Sequence, residues 1–215
     1  MSIASALQEI KSQLPSQVAL IAVSKTKPVA LLEEAYAAGQ RHFGENKVQE
    51  MADKFEVLPK DICWHMIGHV QTNKIKYMAP FVSLVHGVDR LKVLQELNKQ
   101  AKKVDRVIDC TLQVHIAQEA TKFGFDPAEL AEVVVDLDQY SSVRVRGLMG
   151  MATFTDNHDQ IRSEFTSLKT AFDALGASRG WDTLSMGMSG DYQIAVECGA
   201  THVRIGSSIF GARNY

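Results

Sequence analysis

Lys25 closes the apolar, β-branched run of residues 18–23, and three residues later Pro28 opens the segment Val29-Ala30-Leu31-Leu32-Glu33-Glu34-Ala35. An apolar run of this length bounded by polar residues reads as a buried strand. Proline suits the first turn of a helix, and Gly39 supplies the left-handed residue that ends it. Lys25 therefore stands at the carboxyl end of a buried strand, where parallel α/β folds bind their ligands. Two fates are open to an amine there. It leans out and stays solvated, or desolvation lowers its pKa and frees it to condense with a carbonyl as a Schiff base. Lys27 is either the neighbouring cation that assists that shift or a solvated loop residue.

The second chemical cluster lies near the end of the chain. Ser185-Met186-Gly187-Met188-Ser189-Gly190-Asp191 follows one short apolar run, and Gly206-Ser207-Ser208 follows the next. Small residues and hydroxyls leading into helix starts can hold a dianion, although the same residues also build ordinary turns. Arg204 precedes the second loop inside an apolar strand. Its permanent charge needs an acceptor, either a structural carboxylate or a ligand atom. Asn46 lies past the second strand and either bonds a ligand or caps a helix. His65 lies within the third strand, where a satisfied core histidine is the simplest reading. His65 and His69 are four apart, but Gly68 between them argues against a helix that would put both on one face, and no acid or cysteine supports zinc. The chain contains no GxxxxGK[ST], GxSxG or GxGxxG pattern, so nucleotide-loop and nucleophile-elbow chemistries are not indicated.

The 215 residues are 46% hydrophobic and 22% charged, with a net charge of -2. That is the balance of one soluble globular domain without the basic footprint of a nucleic-acid binder. No apolar run reaches transmembrane length, and the first residues lack a basic n-region and a long apolar stretch, so a cytosolic protein without a membrane partner is expected. Cys63, Cys110 and Cys198 are scattered in apolar surroundings and read as free thiols.

Apolar runs alternate with helical patterns from end to end. Strands are expected at 18–23, 42–44, 62–67, 81–86, 107–115, 143–149, 184–186 and 202–205, with helices between them. Ser2 caps an added first helix running through Leu14, and the second strand leads into a helix over 45–58. Asp89 is expected to cap a helix, and Asp126-Pro127-Ala128-Glu129 combines an N-cap, a helix-opening proline and a capping-box glutamate. About eight βα units imply right-handed crossovers and a parallel sheet. The fold class expected is a single (β/α)8 TIM-like barrel with an added N-terminal helix, and a doubly wound open sheet is the alternative.

With these residues placed, the chain resembles the pyridoxal 5′-phosphate homeostasis family, single-domain relatives of the barrel of bacterial alanine racemases. The resemblance is carried by Ala22-Val23-Ser24-Lys25-Thr26-Lys27-Pro28, Phe43-Gly44-Glu45-Asn46, Trp64-His65 with Gly68, Gln71-Thr72-Asn73-Lys74, Arg146-Gly147-Leu148-Met149, Met186-Gly187-Met188-Ser189 with Asp191, and Val203-Arg204-Ile205-Gly206-Ser207. It implies that Lys25 holds the aldehyde of pyridoxal 5′-phosphate as a Schiff base. Ser189, Gly206 and Ser207 would bind the phosphate, Arg204 would face the pyridine nitrogen, and Asn46 would line the site with His65 and Met188 close by. The departures are His69-Val70, where relatives carry a less polar pair, and Gly190 and Tyr192, which replace more acidic neighbours of Asp191.

An arginine at the ring nitrogen cannot accept the ring's proton, which weakens the ring as an electron sink. Racemisation would need a second base on the face opposite Lys25. The resemblance thus implies a non-catalytic cofactor holder acting in vitamin B6 homeostasis, a monomer in transient contact with pyridoxal-phosphate-dependent apoenzymes. The alternatives are a weak racemase and a Schiff-base aldolase acting on a phosphorylated substrate.

Overall fold

A computed structural model describes residues 2–119 and 123–211. Eight parallel strands close into a barrel in sequence order: β1 (Ala19–Val23), β2 (His42–Glu45), β3 (Cys63–Met66), β4 (Leu84–Val88), β5 (Ile108–Gln113), β6 (Val143–Met149), β7 (Thr183–Met188) and β8 (His202–Ile205). Closure is made by β1 against β8, with Ala22 opposite Ile205. The open-sheet alternative is thereby excluded. The helices are α1 (Ile3–Gln13), α2 (Val29–Ala37), α3 (Val48–Val57), α4 (Ile75–Met78), α5 (Leu91–Lys103), α6 (Pro127–Val135), α7 (His158–Gly176), α8 (Tyr192–Glu197) and α9 (Ser207–Phe210). None of these helices is long and apolar enough to cross a membrane.

Local chemistry explains the boundaries. Ser2 accepts from the Ser5 N–H and starts α1, and Asp126 with Glu129 forms the full capping box of α6. Gly39, at φ +85°, ends the α2 segment. The fifth strand is shorter than expected, Ile108–Gln113, and the seventh longer, Thr183–Met188, and three further expectations shift for a visible reason. Glu45 closes β2 instead of opening α3, because its carboxylate is drawn into a buried ion cluster. The fourth strand begins at Leu84, since Phe81 is spent stacking on Phe55 at 4.0 Å outside the barrel. Asp89 does not cap α5, whose N-cap is Arg90, and its carboxylate bonds His69 and Arg90 instead.

The apolar core lies between the strands and the helices, where Trp64, Phe43, Met66, Leu94, Leu97 and Phe165 are fully buried. The lumen of the barrel is polar by contrast. His86 on β4 bonds Ser185 on β7 at 2.8 Å, and since those strands are not neighbours the contact crosses the lumen. His65 bonds both His86 and His42. Burial pushes the pKa of His65 and His86 well below the ordinary histidine value of 6.5, assisted by the neighbouring histidines and, at His86, by Arg204. Both stay neutral in the fold yet take up protons when the chain unfolds below that value. Stability is therefore complete above pH 6.5 and lost as the pH falls through it. With about 1.4 kcal/mol per pH unit for each histidine, unfolding in urea at pH 5.5 should need roughly 2–3 kcal/mol less than at pH 7. A flat stability over that interval would contradict the neutral lumen.

Candidate functional site

The carboxyl ends of the strands surround a cavity of about 400 Å³. Lys25 lines it from the turn after β1, Asn46 from the end of β2, and Met188, Ser189, Arg204, Gly206 and Ser207 from the last two strands. These seven of the eight residues singled out in the sequence share one wall space. His65 does not. The β3 segment contributes Ile67, Gly68 and His69 to the wall, whereas the His65 ring lies deeper in the lumen among His42 and His86. Side chains that alternate along a strand meet the lumen at different levels, and His65 belongs to the layer beneath the cavity.

The turn that presents Lys25 is clamped on both sides. Lys54 donates to the Ser24 carbonyl at 2.9 Å, to Glu45 Oε1 at 2.8 Å and to Glu50 Oε1 at 2.7 Å. The Ser24 hydroxyl donates to Glu45 Oε1 at 2.6 Å, and the Thr26 N–H donates to Glu50 Oε1 at 2.6 Å. Thr26 needs that hold, because its φ of +63° lies in the left-handed region, which is costly for a β-branched residue. Burial raises the Glu45 pKa, an effect that Lys54 and the Ser24 hydroxyl oppose only in part. Lys27 also lines the cavity, but its ammonium donates to the Phe210 and Gly211 carbonyls at 3.0 and 3.1 Å and so caps α9.

Arg204 is only 3% exposed, yet it makes no ion pair with a carboxylate among the described residues. Its Nη1 donates to Ser185 Oγ at 2.6 Å and its Nη2 to the Gly150 carbonyl at 3.0 Å. Burial lowers its pKa to about 10, opposed by the charge of Asp191, so it remains a cation at neutral pH. The structural salt bridge considered for it in the sequence is thus not what holds it.

Nearby, Ser189 Oγ accepts from the Gly206 N–H at 3.2 Å. A Cβ at position 206 would meet the Val23 carbonyl oxygen at 3.0 Å and the Val23 Cβ at 3.2 Å, so glycine lets the end of β8 close against β1. Ser207 opens α9, and the first N–H groups of a helix have no partner within it. Hydroxyls and N–H groups so gathered suit an anion.

Other wall residues escaped the sequence reading. His69 Nδ1 bonds the buried carboxylate of Asp89 at 2.6 Å, and its ring packs 4.2 Å from Phe123. Gln113, Phe123 and Met151 also line the wall. The clamp had a legible signal, because Lys54 falls at helical spacing with Val48 and Met51 on the buried face of α3, where an apolar residue is the norm. Nothing comparable marked His69 and Asp89, which come together only when β3 and β4 are paired.

Over residues 2–214 the chain matches the family model for the alanine racemase N-terminal domain. The alanine racemase of Streptomyces coelicolor superposes with a TM-score of 0.83 at 17% identity, covering 98% of this chain and 58% of that one. At that identity the likeness is one of fold. The class is therefore the alanine-racemase-type barrel. PipY of Synechococcus elongatus, solved with PLP bound, superposes with a TM-score of 0.90 at 38% identity, covering 98% of this chain and 100% of that one. The pyridoxal phosphate homeostasis proteins of Pseudomonas aeruginosa and Escherichia coli are 42% and 38% identical, each over 94% of this chain and over 87% and 88% of their own. The chain belongs to the pyridoxal phosphate homeostasis protein family.

Proposed function

We propose that this chain binds pyridoxal 5′-phosphate in the mouth cavity, holds it as a Schiff base on Lys25, and turns over no substrate of its own. It would buffer or deliver the cofactor in the cytosol, with residues 1–215 acting as one monomeric binding domain in transient contact with apoenzymes that use the cofactor. The observation that carries this reading is Arg204, a buried guanidinium that pairs with no carboxylate among the described residues, in the same wall as Lys25.

Each residue has a part that its chemistry allows. Ser189, Gly206 and Ser207 would take the phosphate, Asn46 and Met188 would border the ring, and Arg204 would donate to the ring nitrogen. Bound pyridoxal phosphate supplies an aldehyde open to amines and an electron-withdrawing ring. Arg204, already protonated, cannot relieve that nitrogen of a proton or deliver one cheaply, so it holds the ring in its less reactive state. The clamp around Ser24 and Thr26 holds the strained Lys25 turn in place.

One observation favours a second reading, a weak amino-acid racemase. His69, oriented by buried Asp89 on the cavity wall, has the arrangement of an acid–base pair. The loaded protein, incubated with a panel of L-amino acids, is expected to yield D-enantiomer far below ordinary enzymatic rates. Turnover on the order of 1 s⁻¹ or more would overturn the carrier reading. A protein that stays colourless with added pyridoxal phosphate would overturn both and leave the aldolase alternative.

A further inference from the structure

Arginine only donates hydrogen bonds, so Ser185 Oγ, 2.6 Å from Arg204 Nη1, is the acceptor of that contact. Ser185 is fully buried, and its own hydrogen has one candidate acceptor among the described residues, His86 Nδ1 at 2.8 Å. Were His86 to donate instead, the serine hydrogen would be buried without a partner, at a cost of about 1–3 kcal/mol. His86 Nδ1 therefore accepts, and a neutral His86 carries its proton on Nε2. That nitrogen lies 2.9 Å from His65 Nδ1, which must accept in turn. His65 then carries its proton on Nε2, 3.0 Å from His42 Nδ1. One permanent cation at the mouth thus sets the direction of four consecutive hydrogen bonds.

We propose that Ser185, His86, His65 and His42 are positioning residues for Arg204, forming a single-direction chain that fixes the guanidinium in the cavity wall with its remaining N–H groups left for the ligand. The inference rests on the reading of Arg204 as the ring-nitrogen donor. The chain ends at His42, beside His202 and Asp182 in a second cavity of about 450 Å³ at the amino-terminal end of the barrel. Neutral rings agree with the burial that lowers the pKa of all three histidines. Every donor points away from the mouth, and Arg204 does not give up its proton at neutral pH. The chain therefore orients and does not conduct.

Long-range proton–nitrogen correlation on ¹⁵N-histidine-labelled protein without cofactor tests the direction. His42, His65 and His86 are expected in the Nε2–H tautomer at neutral pH, and a proton on Nδ1 of His86 would overturn the chain. Ser185→Ala tests the positioning in protein loaded with ¹⁵N-pyridoxal phosphate. It should move the pyridine-nitrogen resonance and weaken cofactor affinity about tenfold, a loss of one hydrogen bond to a charged group, while the ³¹P resonance of the phosphate stays in place. An unmoved pyridine resonance would overturn the positioning role. A wild-type protein showing no bound cofactor would sink the site reading alone, because the tautomer result is obtained without cofactor.

Discussion

Lys25→Ala is expected to abolish covalent capture of pyridoxal phosphate. Wild-type protein mixed with the cofactor and reduced with borohydride should gain the mass of one pyridoxyl phosphate group, located by peptide mapping on Lys25. The alanine variant should gain none. The expectation rests on position, since Lys25 lines the cavity shared with Ser189, Arg204, Gly206 and Ser207. Those contacts remain in the variant, so weak non-covalent binding should persist, at an affinity reduced at least a hundredfold, or about 2.7 kcal/mol. Lys27→Ala is the informative companion. Its ammonium is engaged with the Phe210 and Gly211 carbonyls, so that variant should still be labelled on Lys25. Label appearing on Lys27 in the wild type would contradict the assignment.

Lys54→Met should be the most destabilising single change near the site. Glu45 is fully buried, and Lys54 is the one cation paired with it among the described residues. Removing the ammonium strands a buried carboxylate and takes one of two donors from the Ser24 carbonyl and from Glu50, which keep the N–H groups of Lys27 and Thr26. Breaking such a pair by taking one partner costs about 3–5 kcal/mol. Urea unfolding should show a loss of that size, and the double variant Glu45→Gln/Lys54→Met should recover part of it, because the uncompensated charge is gone. The effect should reach function, since the turn carrying Lys25 loses its clamp. Cofactor capture by Lys54→Met should therefore be weakened even where the protein remains folded. An unchanged midpoint would mean that the cluster is as well solvated as a surface pair.

Much of the barrel was legible because its signals are local. The capping box at Asp126 and Glu129 and the bounds of β6 and β8 agree with the structure. Three of the misplaced boundaries trace to tertiary partners. Glu45 continues a strand to meet Lys54, Phe81 is withdrawn from a strand to stack on Phe55, and Asp89 abandons a cap for His69. The candidate residues on the cavity wall announce themselves by type at or near strand ends: a lysine, an arginine and paired glycine–serine loops. His65 was drawn to the cavity by its neighbourhood in a motif, and the structure sets it one layer deeper. Its real context carried a faint signal. His65, His86, Ser185 and Arg204 are each flanked on both sides by apolar or small strand residues, the pattern of a side chain turned into the lumen. The direction of their hydrogen bonds is invisible in sequence, because it depends on which of them meet across the barrel.

Diffraction from crystals of the protein loaded with pyridoxal phosphate tests the central claim most directly. Continuous density should join the Lys25 amine to the aldehyde carbon, with the phosphate against Ser189, Gly206 and Ser207 and the ring nitrogen within hydrogen-bond distance of Arg204. A cofactor lying elsewhere, or one seated in the cavity with the Lys25 amine unbonded and the ring nitrogen turned from Arg204, would contradict it.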